Sequence, residues 1–234
     1  MTITVYYGEQ NNFFLEEPKS VLKSFSYDQK NADNSSHLDN VHMCPSFINY
    51  YHNTFSISSD FSWELNWDGN EFVSNNMDQS AFNNHFLIRN KSSGLVSSIV
   101  PGLYLIPDKP VDIELLNPTL SDSDINKKTS VMQGVFNPYY HIRPTELAFR
   151  FLNVGDTIKY YPGEDLYYIR FLTKERIKFK KFYFTQNINN IITNNLSQKS
   201  LDSRIRNLKW WYEVSKNMGI RKQVMKDVLS NLCD

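Results

Sequence analysis

Between Gly155 and Tyr183 the chain reads GDTIKYYPGEDLYYIRFLTKERIKFKKFY, and apolar and polar positions alternate through it. Alternation of this kind places successive side chains on opposite faces of a strand. The runs at 157–161 and 166–172 flank Pro162-Gly163-Glu164-Asp165, and a third run at 177–184 follows a charged break. The pattern predicts a strand, a turn, a strand, a break and a strand.

The same period recurs upstream. Residues 2–7, 54–58, 62–67, 71–74, 86–89, 95–100, 103–106, 111–116, 130–136 and 146–152 all read as short strands. Asp68-Gly69 joins two of them as a hairpin dipeptide, and Pro101-Gly102 marks a turn between two others. Residues 44–51 predict a short helix with Pro45 in its first turn. Residues 19–40 and 118–128 are polar and read as loops. Short strands separated by turn signals predict a mainly β body: a sandwich, barrel or β-clip-like fold of about a dozen strands, not βαβ units.

The character changes near Asn187. The expected organisation is a β-rich domain over residues 1–186, an Asn-rich linker over 187–199 and a two-helix tail over 200–234. Ile205, Leu208, Trp211 and Tyr212 recur at helical spacing, Gly219 ends that helix, and Val224, Val228 and Leu232 share one face of a second.

Bulk composition narrows the function classes. The 25 basic and 25 acidic residues cancel, so no global field draws the chain to nucleic acid or to an anionic membrane. The tail is nevertheless basic, with Lys and Arg outnumbering Asp and Glu after residue 196. Cys44 and Cys233 lie far apart and suggest no disulfide scaffold. The first residues, MTITVYYGEQ, lack a basic and then apolar leader, and no apolar run is long enough to span a bilayer. The expected location is cytosolic, without a signal peptide or a membrane span.

Candidate chemistry is sparse. His37, His42 and Cys44 form the best metal-like grouping, but their spacing fits no familiar zinc module. His85 is not followed by the H-x-D pattern of an iron facial triad. Ser92-Ser93-Gly94 has no identifiable base. Glu164-Asp165 suits acid–base work or, more simply, the shaping of a hairpin. The run 174–181 interleaves cations and aromatics, which fits nucleic-acid contact but better fits a strand with one polar face. Trp210-Trp211-Tyr212 on the tail are typical interface anchors. No cofactor and no metal are implied.

Three segments in order, VHMCPSFINYYHNTF (41–55), PGLYLIP (101–107) and residues 134–170, resemble an uncharacterised family of proteins encoded by tailed bacteriophages, especially marine ones, and by some bacteria. The resemblance covers roughly residues 1–185 and carries no assigned activity. A more distant similarity is to the trimeric dUTP pyrophosphatase and dCTP deaminase group, which has a β-clip fold. Pro101-Gly102-Leu103-Tyr104, Gly134-Val135-Phe136-Asn137 with Tyr140, and Gly163-Glu164-Asp165-Leu166 resemble that group's motifs. Asn137 stands where that group's carboxylate belongs, and an amide cannot accept a proton from water. The group's Arg-Ser-Ser phosphate motif is absent after Pro107.

The resulting expectation is a non-enzymatic phage protein, a virion or assembly component or interaction module, with protein partners that include copies of itself. The alternative is a degenerate nucleotide-binding protein whose pocket is lined by Asn137, Tyr140, Glu164 and Asp165.

Overall fold

Alternating β-branched and aromatic runs become strands because each can bury one face and solvate the other. The computed structural model describes residues 1–10, 15–24, 44–89, 96–194 and 219–233. Among them, fifteen strands form four sheets, so the chain is mainly β, and no sheet closes into a barrel.

The largest sheet is antiparallel and runs β11 (Gly134–Phe136), β9 (Ile113–Leu116), β14 (Asp165–Phe171), β3 (Thr54–Ser58), β2 (Lys19–Ser20). A second antiparallel sheet runs β10 (Thr129–Val131), β12 (Leu147–Phe151), β7 (Val96–Ile99), β6 (Phe86–Arg89). In a third, β1 (Thr2–Glu9) lies between β15 (Arg176–Lys181), to which it is parallel, and β8 (Leu103–Pro107). The fourth runs β13 (Thr157–Tyr160), β4 (Trp63–Trp67), β5 (Phe72–Val73).

All four sheets turn one face to a shared, sandwich-like core. Ile57 and Phe171, Ile99 and Phe149, Val5 and Leu105, Leu65 and Ile158 all belong to that one cluster. Trp63 stacks on Tyr160 with ring centroids 5.4 Å apart and meets Phe86 edge-on. In β14 the main core receives Leu166 as well as Tyr167, Ile169 and Phe171, because a bulge between Asp165 and Tyr167 inserts an extra residue. Tyr168 points to the other face and packs with Val21, Tyr51 and Leu116.

Strand β8 is buried on both faces. Leu103 and Leu105 enter the main core, while Tyr104 and Ile106 enter a second cluster with Ile142, Phe182, Ile188, Ile192, Val224 and Val228. The second cluster docks the C-terminal helices onto the body. Burying each such aliphatic side chain stabilises the docked tail by roughly 1.5–3 kcal/mol. Gly8 makes room for it, since a Cβ there would lie 2.6 Å from the Phe182 ring. The Ile220–Ser230 helix is also tied by Arg221, whose Nη2 donates to the Pro107 carbonyl at 2.6 Å while its guanidinium lies 3.6 Å from the Tyr139 ring centre.

Several expectations are corrected. The stretch expected to be a linker is helical over residues 186–194. Thr185 caps that helix, accepting from the Ile188 N–H at 3.1 Å, and Ile188 and Ile192 are buried one turn apart. Asn dominates the composition there, but the buried isoleucines decide the conformation. Residues 118–128, expected as loop, end in the Asp124–Lys128 helix, with Ser123 as N-cap and Ile125 buried. The single strand expected over 130–136 is two, β10 and β11, in different sheets. The Gln79–His85 helix, capped by Asp78, has no counterpart in the sequence expectations. The first tail helix expected after residue 200, with Trp210, Trp211 and Tyr212, lies outside the described residues.

The turn at Pro162-Gly163 is not a hairpin but a corner between sheets, because β13 pairs with β4 while β14 pairs with β3 and β9. Buried Tyr160 organises it: its hydroxyl accepts from the Ser59 N–H at 2.8 Å and donates to the Glu164 carbonyl at 2.7 Å. Gly163 adopts φ +82°, which suits glycine, and its N–H donates to the Ser59 carbonyl at 3.0 Å.

Buried tyrosines give the fold a pH limit. Burial pushes the Tyr7 hydroxyl up to about 12 and raises those of Tyr104, Tyr160, Tyr167 and Tyr168 as well. A raised folded-state value favours the neutral form in the native state. The associated stability is full below the unfolded tyrosine value of about 10 and is lost as pH rises above it. Urea midpoints at increasing pH should hold steady up to about pH 10 and fall steeply beyond. In an ultraviolet titration these five of the chain's 14 tyrosines should ionise only with unfolding.

Candidate functional site

The two halves of the expected nucleotide pocket do not meet within one chain. Asn137 follows Phe136, which is in register with Ile113, which in turn faces Phe171 at the C-terminal end of β14. Glu164 and Asp165 lie at the other end of that strand. Six residues of strand at about 3.3 Å each separate the two ends by about 20 Å. A pocket using all four side chains would have to draw on two chains.

Each of these polar groups has structural work within the chain. Asn137 Nδ2 donates to Asp112 Oδ1 at 2.8 Å, and its Oδ1 accepts from the Tyr139 N–H at 3.1 Å. Glu164 Oε2 accepts from the Tyr161 N–H at 3.2 Å. Asp165 accepts from Ser56 Oγ and, at 2.8 Å, from the Tyr168 hydroxyl. Tyr140 is exposed and lies edge-on to Tyr139.

The other candidates are dispersed. Cys44 is an exposed free thiol, while His37, His42 and Ser92-Ser93-Gly94 lie outside the described residues. His85 ends the Gln79–His85 helix against Phe61, and burial lowers its pKa. Among the described residues, no three His, Cys, Asp or Glu side chains gather as a metal site requires, and no helix is long and apolar enough to cross a membrane. The basic run is an edge strand: Ile177 turns inward, while Arg176, Lys178 and Lys180 are exposed.

Two concave features are lined by described residues. The larger is a cleft of about 650 Å³ at the C-terminal end of β14. Residues far apart in sequence form it because Arg170 pairs with Thr54, which brings the end of the Pro45–Tyr51 helix against residues 170–174. Asn53, at φ +54°, clamps the junction by donating through Nδ2 to the carbonyls of Thr173 (2.9 Å) and Glu175 (2.7 Å). Asn tolerates this left-handed conformation better than most residues.

Arg170 forms the inner wall. Its Nε and Nη2 donate to Glu114 Oε2, the first at 3.0 Å, and its Nη1 donates to the Tyr50 carbonyl at 3.3 Å. The guanidinium also lies over the Tyr50 ring at 4.3 Å. The sequence singled out neither residue, because only the β3–β14 and β9–β14 pairings bring the partners together.

The second feature is a notch of about 270 Å³ beside β11, where apolar Leu115, Met132, Val135, Phe136 and Ala148 meet polar Ser98 and Glu146, with Arg143 stacked over Phe136 at 4.3 Å. β11 ends its sheet, so only β9 pairs with it among the described strands. Val135 is 57% exposed and Met132 52% exposed.

The Arg170–Glu114 pair holds the cleft wall, and both side chains are largely buried. Arg170→Met should cost about 2 kcal/mol in urea unfolding, less than a fully buried pair, because it strands the Glu114 carboxylate. The double variant Arg170→Met/Glu114→Leu should recover at least half of that loss. Simple additivity of the two single losses would show that the pair is not coupled.

In comparison with known proteins, no family model matches the chain and no curated protein matches its sequence.

Proposed function

We propose that this chain is a non-enzymatic interaction module that acts through protein contacts, copies of itself among them. The observation that carries this reading is the apolar edge at β11. Edge strand β11, with exposed Val135, lies beside exposed Met132 and a notch of mixed apolar and polar lining, and offers backbone groups for strand addition and a socket for a partner side chain. The engagement of Asn137, Glu164 and Asp165 in the chain's own hydrogen bonds supports the same reading, since these side chains hold shape. The resemblance to tailed-bacteriophage proteins supports a role in a virion or its assembly.

Light scattering on the purified protein tests the contact surface. The expected result is a species heavier than the 27.5 kDa monomer that Val135→Lys returns to monomer mass without changing the unfolding midpoint. A charge in the centre of an apolar contact opposes association far more than folding when the position is exposed. A monomer at all concentrations, with no recovery of the chain in purified particles, would contradict the proposal.

A further inference from the structure

The β14 cleft carries chemistry that the β11 edge does not use. Its described wall contains Arg170, Lys174, His52, Asn49 and Thr173 and no carboxylate. Arginine has five N–H donors, and three of those on Arg170 are committed to Glu114 and to the Tyr50 carbonyl. Two donors remain on a guanidinium already fixed by Glu114 and by the Tyr50 ring, so little side-chain entropy is lost when a ligand takes them.

Charge balance points the same way. Glu114 neutralises Arg170, and Glu175 is drawn off to Lys109 at 3.3 Å. Exposed Lys174 forms no ion pair among the described residues and is the unmatched cation of the cleft. Thr173 Oγ1 accepts from the Glu175 N–H at 3.1 Å, which leaves its own proton to donate. Asn49 and His52 supply further donors from the other wall.

From this set we infer that the cleft binds a small phosphate monoester. A carboxylate has two oxygens for these donors, whereas a phosphate monoester offers three with a charge of about −1.5 to −2. The cleft is larger than bare phosphate requires and lies within the usual 300–1,000 Å³ of small-molecule sites. Exposed Leu172 and Tyr50 give the organic part an apolar surface. This site does not depend on the β11 contact, so Val135→Lys should leave it intact.

Backbone amide NMR with four probes tests the inference: inorganic phosphate, a pentose phosphate, the free pentose and acetate. The pentose phosphate should shift the amides of Asn49, Thr173 and Lys174 and bind more tightly than inorganic phosphate. The free pentose and acetate should leave them in place. Lys174→Gln, at an exposed position, should weaken the pentose phosphate at least about tenfold, equivalent to 1.4 kcal/mol. Lys178→Gln, on β15 outside the cleft, should change nothing. Absence of shifts with both phosphates, equal losses in the two lysine variants, or acetate competing as strongly as phosphate would each overturn it.

Discussion

Strand β14 has to bury both faces, and the rest of the molecule is arranged around that requirement. It lies between β3 and β9 and sends Tyr167, Ile169 and Phe171 into the main core and Tyr168 to the opposite face. Two of these side chains end in hydroxyls, and a buried hydroxyl without a partner costs about 1–3 kcal/mol. Tyr167 meets Thr145 Oγ1 at 2.7 Å, and Tyr168 donates to Asp165. Satisfying them fixes the segment leading to β12 and the entry to β14 itself. Buried Tyr160 does the same for the preceding corner through Ser59 and Glu164. The Asp165 carboxylate, which composition alone offers for catalysis, thereby becomes an anchor for the Tyr168 side chain.

The same strand sets where surface chemistry is free. At its N-terminal end the carboxylate of Asp165 is tied inward. At its C-terminal end the polypeptide leaves the sheet, Asn53 clamps the departing carbonyls, and a cleft opens beside Arg170. The tail helices close a different face, over Tyr104 and Ile106 of β8, and leave that cleft and the β11 edge uncovered among the described residues.

Local chemistry was legible in the sequence, and partner choice was not. Thr54–Ser58 is a strand with the predicted bounds, and Asp68-Gly69 closes the predicted hairpin, with Trp67 facing Phe72. These elements are specified by neighbours within a few residues. The corner at Pro162-Gly163 looks like a hairpin turn until Ser59, about a hundred residues away, claims the Tyr160 hydroxyl. The run 130–136 has one period but serves two sheets. Asn content hid the helix at residues 186–194, because two buried isoleucines outweigh a weak propensity. The cleft was hidden for the same reason as the corner: Asn49, His52 and Lys174 become neighbours only after β3 and β14 pair.

Native-state hydrogen exchange across the sheets bears most directly on the central place of β14. The amides of Tyr168, Ile169 and Arg170, bonded between β3 and β9, should exchange only through global unfolding. Those of the Ile220–Ser230 helix and β11 should open at lower free energy. Exchange of the β14 amides through local opening, ahead of the tail helix, would contradict a structure organised around that strand.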